Sequence, residues 1–248
     1  MATRYQLDHL DLLPEYINGA FHPETPPAAW GPARKRLSIA RRHARGDVLE
    51  VGAGTGWLSV HLEAWGHHVV ATDFSPDARD IFEANAKTVH SSLTVSSENV
   101  TALTFPGDSF DTVVCFSVLE HVADLGRALA EIRRVLRTDG VAVLGIPNGW
   151  GSYSLLNDRQ PKRGFRVRPV TSMRHHHEHV HGPAWWRGVL VGSGFRIDEE
   201  VALEVMTPLF ARIGGYQRTA SLSRWDARAA DFLPAGLASD VIFVVSRR

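Results

Sequence analysis

The sequence predicts an α/β protein: a doubly wound, Rossmann-like, mostly parallel sheet of seven strands, with helices on both faces and a cap over one edge. Three observations predict it. From residue 47, short β-branched apolar runs alternate with amphipathic helical segments, the order of a parallel sheet with crossover helices. The first of those runs ends in the glycine-rich turn GAGTG. The chain, 248 residues with 44% hydrophobic and 22% charged, is long enough to bury a large core.

The elements follow in order. A short N-terminal helix candidate, the proline-rich stretch HPETPPAAWGP (22–32) and the basic helical segment ARKRLSIARRHA precede the alternating region. DVLEVG reads as a buried first strand. TGWLSVHLEAWG has helical spacing, with Leu58, Leu62 and Trp65 on one stripe and a closing glycine. HHVVATD is a second strand, and SPDARDIFEANAKTV opens a helix with a serine cap and proline in its first turn. LTVSSENV and FDTVVCFS are the third and fourth strands. DLGRALAEIRRVLRTDG is an amphipathic helix burying Leu125, Leu129, Ile132 and Leu136. VAVLGIPN is the fifth strand. The regularity then stops: 149–182 is loop-like, 183–193 helical, and FRIDEEVALEV and SDVIFVVS are the last two strands.

This divides a single domain, 1–248, into an N-terminal helical cap (1–46), a cofactor-binding core (47–147), an insert (148–182) and an acceptor-side part (183–248). The stretch 205–237 is far longer than a hairpin needs and reads as a cap over a pocket. The 27 basic and 27 acidic residues balance, so no global field attracts nucleic acid or an anionic membrane. No apolar run approaches the ~20 residues that span a bilayer, and the N-terminus lacks a signal-peptide pattern; a cytoplasmic protein, monomer or homodimer, is expected. The single cysteine, Cys115, sits in an apolar run and reads as a buried, inert thiol.

Chemistry begins at LEVGAGTGWLS. Gly52, Gly54 and Gly56 let the backbone turn sharply and approach a ligand at the positive end of a helix. The same glycines also suit a purely structural turn. Their GxGxG spacing differs from the GxGxxG of dinucleotide sites. Asp73 closes the second strand, where a carboxylate can accept both hydroxyls of a ribose or, alternatively, cap the next helix. Nicotinamide enzymes and adenosyl-sulfonium enzymes both place an acid there, so Asp73 alone does not discriminate.

The segments LEVGAGTG, ATDFSP, SENVTALTFPGDSFDTVVC, SVLEHVADLGRALAEIRRVLRTDGVAVLGIPN and EHVHGPAWWRGVLVGSGFRI occur in that order. In them the chain resembles the class I S-adenosylmethionine-dependent methyltransferases, in the small-molecule branch related to the ubiquinone-biosynthesis enzymes (methyltransferase type 11). The resemblance implies that S-adenosylmethionine is the cofactor. Glu50, Gly52, Ala53, Gly54 and Gly56 would surround its methionine part. Asp73 would hold the ribose, with Phe74 against the adenine and Ser75 beside them. Asn99 falls where the family usually has an aspartate that bonds the adenine amino group, and an amide oxygen can accept that bond. The Val100 N–H would meet the ring. Phe116 and Ser117 follow the fourth strand, at the edge where open α/β sheets bind ligands.

Methyl transfer from a sulfonium is an in-line displacement by an already activated donor. Alignment can supply ~7–11 kcal/mol, whereas a general base adds 10²–10⁴-fold, so positioning dominates. Two residues are candidates for acting on the acceptor. His179, at the approach to the helix at 183, is the first, as a neutral imidazole able to take a hydroxyl proton. His121, just past the fourth strand, is the second, and could equally serve the fold or a lid. His179 belongs to RHHHEHVHG, which packs five of thirteen histidines between 175 and 181. As an extended segment it would put 175, 177, 179 and 181 on one face, where a metal, an acceptor or only solvent could meet them. The family's metal-dependent members rely on carboxylates this chain does not show, so no metal is expected. The basic stretch RQPKRGFRVR (159–168) reads as a solvated insert, a clamp for an acidic acceptor or a patch for RNA. The expected function is methylation of a small molecule, oxygen favoured over nitrogen or carbon. The alternatives are an RNA methyltransferase, a non-catalytic S-adenosylmethionine-binding regulator and, more distantly, a nicotinamide dehydrogenase.

Overall fold

A computed structural model describes residues 31–88, 91–149, 179, 181–205, 222 and 225–248. The first helix candidate, most of the proline-rich stretch, the basic stretch 159–168, most of the histidine cluster and much of the proposed 205–237 cap lie outside those residues. Twelve elements among the described residues form the sheet and the helices packed on it. They are α1 (Gly31–His43), β1 (Asp47–Val51), α2 (Trp57–Ala64), β2 (His68–Thr72), α3 (Pro76–Thr88), β3 (Val95–Ser96), β4 (Phe110–Phe116), α4 (Leu125–Val135), β5 (Leu136–Pro147), α5 (Pro183–Gly192), β6 (Phe195–Glu204) and β7 (Asp240–Arg247). The strands form one seven-stranded sheet in the order β3-β2-β1-β4-β5-β7-β6. The first five run parallel; β7 is antiparallel to both β5 and β6.

Period-two alternation splits the strand residues between two cores. Leu49, Val113, Cys115, Leu144 and Phe243 pack with Leu125, Leu129 and Ile132 of α4 and with Trp186 and Leu190 of α5. Val48, Val114, Val143 and Ile242 pack on the opposite face with Leu37 and Ala40 of α1 and Leu58 and Leu62 of α2. Phe82 and Ala86 of α3 cover Ala71 and Val95 near the β3 edge. Cys115 is buried, and burial pushes its thiol above the ordinary range, as an inert thiol requires.

Two boundaries differ from the sequence expectation. The third strand is only two residues long, because the chain at 99–102 folds into a turn closed by the Asn99 side chain. Helix α4 ends at Val135, and Leu136 is buried as strand, paired with Phe110. The N–H groups of Asp108 and Ser109 donate to the carbonyls of Arg134 and Val135. Tertiary bonds thus satisfy the end of the helix, and no glycine is needed there.

Helix α1 is strapped to the far end of the chain. Lys35 Nζ donates to the Ala227 carbonyl (2.7 Å), Arg36 to Asp240 (3.1 Å), and Arg42 and His43 hold the two oxygens of Glu199 (2.6 and 2.9 Å). These contacts hold α1 against β6, the start of β7 and the segment at Ala227.

Candidate functional site

Register alone aligns the site. Val51 of β1 pairs with Thr72 of β2 and with Cys115 of β4. Gly52 and Asp73 therefore leave the sheet side by side at the carboxyl edge, level with Phe116, the last residue of β4. The loop from Gly52 to Gly56 needs its glycines: φ is +71° at Gly52, +55° at Gly54 and +85° at Gly56, where other residues are strained. The buried Ala53 donates its N–H to the Thr72 carbonyl (2.8 Å).

Asp73 ties this loop to β2. One carboxylate oxygen accepts the Gly54 N–H (2.8 Å) and the other the Ser75 N–H (2.8 Å). Helix α3 is capped by Ser75, whose hydroxyl accepts the Ala78 N–H (3.2 Å), so capping is not the task of Asp73. Each Asp73 oxygen keeps a lone pair for a further donor. The adjacent Phe74 ring is 72% exposed, an apolar face presented to solvent beside the loop.

Glu50 is buried under the loop, and its carboxylate accepts from the Ser59 hydroxyl. Burial pushes its carboxyl up to about 8; the Ser59 bond opposes this and the charge of Asp73 adds to it. The folded protein then holds a proton that the unfolded chain releases. Stability from this group is greatest below the ordinary carboxylate range and falls as pH rises towards about 8. Glu50→Gln is therefore expected to raise Tm at pH 8.5 relative to wild type, by roughly 2–4 °C per kcal/mol relieved, and to change it little at pH 5. Scanning calorimetry at both values checks this; an equal gain at both would overturn it.

Asn99 is exposed, and its Oδ1 accepts both the N–H (3.0 Å) and the hydroxyl (2.8 Å) of Thr101. The oxygen expected to meet an adenine amino group already has two donors, and the amide's other atom is itself a donor. Val100 follows, its side chain buried in the core.

Past β4 the backbone is strained. Ser117 has φ +55°, which is uncommon for a non-glycine residue, and its N–H donates to the Gly145 carbonyl (2.9 Å). A Cβ at Gly145 would come within 2.6 Å of the Phe116 ring, so glycine there leaves room for that ring. The Arg36 guanidinium lies over the same ring, 5.9 Å from its centre.

The two candidate histidines are brought together. The N–H of His179 donates to the Glu120 carbonyl (3.1 Å), and its ring Nε2 bonds the Val122 carbonyl (2.9 Å). That bond fixes Nε2 as the protonated nitrogen. The ring also stacks at 5.8 Å on Trp185, while His181 stacks on the same indole at 3.7 Å. Burial and the neighbouring His179 hold His181 below the ordinary imidazole range. His179 and His181 do share a face, their ring centres 6.2 Å apart; His175 and His177 lie outside the described residues. Among the described residues, no group of three potential ligands could hold a metal ion.

Sequence reasoning missed the buried polar residues behind this edge. Glu120 is one: its side chain is 2% exposed, and its Oε1 lies 3.7 Å from His121 Nε2. Asn148 is another; it donates to the carbonyls of Gly236 and Ala238, tying β5 to the turn before β7. No motif marks Arg36 or Asp240, which meet across 204 positions.

A seven-stranded sheet with this order and a glycine loop leading to an acid at the end of β2 define a Rossmann-like domain built around a nucleoside-bearing cofactor. The methyltransferase domain family matches residues 49–144. A putative methyltransferase of Rickettsia prowazekii is 32% identical over 175 residues, which are 66% of this chain and 70% of that protein. A ubiquinone biosynthesis O-methyltransferase of Cereibacter sphaeroides is 36% identical over 103 residues, 41% of each chain. Among solved structures, an S-adenosylmethionine-dependent methyltransferase from Clostridium acetobutylicum covers 96% of this chain and 98% of its own, with a TM-score of 0.62; at 12% identity it shows the fold alone. The chain belongs to the class I S-adenosylmethionine-dependent methyltransferase family, whose cofactor is S-adenosylmethionine. Its match spans 39% of the length of the probable S-adenosylmethionine-dependent methyltransferases of Mycobacterium tuberculosis. No helix among the described residues is long and apolar enough to cross a membrane.

Proposed function

We propose that the protein transfers the sulfonium methyl of S-adenosylmethionine to a hydroxyl of a small-molecule acceptor. The carrying observation is the shared edge: the Gly52–Gly56 loop, Asp73 and the turn bearing His121 leave adjacent strands at one row of the sheet. In this reading Asp73 uses its remaining lone pairs on the ribose hydroxyls. Phe74 covers the adenine, and the Val100 N–H meets the ring. Glu50 and the glycines, with Ala53, face the methionine part; Ser75 closes the ribose side, and Phe116 and Ser117 lie beside the sulfur. The cofactor supplies an activated methyl, so the protein's task is alignment. An oxygen acceptor is favoured by the O-methyltransferase names of the relatives acting in ubiquinone biosynthesis and on malonyl-acyl-carrier protein.

His121 and His179 belong to the acceptor side. Because the Nε2 of His179 is engaged with a carbonyl, its role is to position the acceptor turn. His179→Ala is then expected to raise KM while kcat falls little; a 10²–10⁴-fold fall in kcat at constant KM would make it the base instead.

Calorimetry with S-adenosylmethionine and S-adenosylhomocysteine, followed by mass spectrometry of a phenol, alcohol and carboxylate panel, tests the whole reading. Low-micromolar binding, about −7 to −8 kcal/mol, with a product gaining one methyl is expected. Binding without product across the panel would favour a non-catalytic regulator. Affinity for RNA falling steeply with salt would favour an RNA substrate.

Asn99 gives a second test of the adenine placement. Asn99→Asp keeps the oxygen that closes the turn and replaces a donor by an acceptor facing the adenine amino group. Cofactor affinity should rise by ~1 kcal/mol, about five-fold. Weaker binding in this variant would mean that Asn99 does not face that group.

A further inference from the structure

Glu120 is a buried carboxyl that is only partly engaged: its own main-chain N–H bonds the carboxylate and His121 Nε2 lies 3.7 Å from Oε1. It sits in the turn Leu119–His121 directly after β4, and its Oε2 is enclosed yet has no hydrogen-bond partner. The turn does not depend on that oxygen. Its main chain is held by the His179 N–H on the Glu120 carbonyl, the His179 ring on the Val122 carbonyl, and the His121 N–H on the Val118 carbonyl (2.9 Å). The nearby cation, Arg36 of α1, acts on the acid through its charge, while its Nη2 hydrogen bond goes to Asp240 of β7. Native folds leave few buried polar atoms unmatched, and each one calls for a physical reason.

We propose that Glu120 is the acid–base residue of the acceptor site, holding the O–H or N–H of the acceptor and taking its proton as the methyl arrives. This rests on the methyl-transfer reading above and narrows it to acceptors that carry an exchangeable proton on the nucleophilic atom. The acceptor lone pair forms the new bond to the methyl carbon. The carbon–sulfur bond breaks, its electron pair leaving on sulfur, and the acceptor proton passes to the Glu120 carboxylate. The proton leaves to water before the next cycle, so the sum is one methyl transferred and one proton released.

The surroundings suit that role. Burial pushes the carboxyl up to about 8; the charge of Asp240 adds to the rise, and Arg36 opposes it. His121 on the same turn and Cys115 on β4 are the other titratable side chains near it. His179, across the turn, offers it only a main-chain bond. A bound sulfonium adds a positive charge at this edge and favours the ionised acid needed for proton uptake.

The experiment measures proton release on cofactor binding to the intact protein, by calorimetry at pH 7.5 in Tris and in phosphate. S-adenosylmethionine should release an excess of about half a proton over S-adenosylhomocysteine, which lacks the sulfonium charge. Glu120→Gln should bind both ligands but lose that excess; an unchanged excess would overturn the proposal. If neither ligand binds wild type, it is the cofactor reading that fails. Should the glutamine variant not fold, Glu120→Asp keeps the acid in a shifted place, and the excess should change size or midpoint; an identical profile again counts against Glu120. For any acceptor that turns over, wild-type kcat should climb to a plateau above pH 8, and Glu120→Gln should lose that limb. The same limb in both proteins would also overturn it.

Discussion

Asp73→Ala is expected to weaken S-adenosylhomocysteine binding by ~1.5–3 kcal/mol, about 10- to 150-fold. Two losses combine. The ribose hydroxyls lose a charged acceptor, and the N–H groups of Gly54 and Ser75 lose the carboxylate oxygens that fix the loop. Asp73→Asn retains one acceptor oxygen and should fall between wild type and alanine. Titration calorimetry showing wild-type affinity in the alanine variant would remove Asp73 from the cofactor site.

Gly52→Ala is expected to cost ~2–4 kcal/mol of folding stability. The left-handed backbone, φ +71°, accounts for roughly 1–2 kcal/mol of that. The rest is steric, because a Cβ would stand 2.2 Å from the Val118 Cγ2. Gly54→Ala is the internal comparison: φ is +55° and no atom lies within 4 Å of its Cβ, so only the backbone share should appear. Urea unfolding of Gly52→Ala, Val118→Ala and the double variant separates the two shares. If Val118→Ala recovers nothing, the contact between the loop and the acceptor turn is not the cause.

How far this protein could be read without coordinates depended on whether local pattern or long-range contact decides each feature. Six of the seven strands were legible because alternation in a doubly covered sheet writes apolar runs such as DVLEV and VIFVV directly into the chain. The short β3 was over-read because Asn99 turns its side chain onto its own backbone, a competition that composition does not reveal. The end of α4 was misplaced because its cap comes from Asp108 and Ser109, more than twenty residues earlier. In the candidate site, glycine spacing and the acid at the end of β2 are local signals and were found. Glu120 lay unnoticed beside His121: a carboxylate in LEHV looks like ordinary polar surface until the fold encloses it. Arg36 and Asp240 were invisible for a plainer reason, since nothing in sequence announces a pair 204 positions apart.

Strand β7 occupies the gap between β5 and β6 although it is the last of the three to be synthesised. Until it emerges, β5 presents an unpaired edge, and α1 has none of its partners at Ala227 and Asp240. Between the completion of β5 and the arrival of β7 the nascent chain thus carries a half-sheet open to wrong partners, and its first described helix gains these two ties only once residues 227 and 240 have been made. Loop closure over such separations makes folding slow relative to stability. During synthesis this chain is exposed to edge-to-edge aggregation, and a ribosome stalled before Asp240 leaves a product that cannot complete its own sheet.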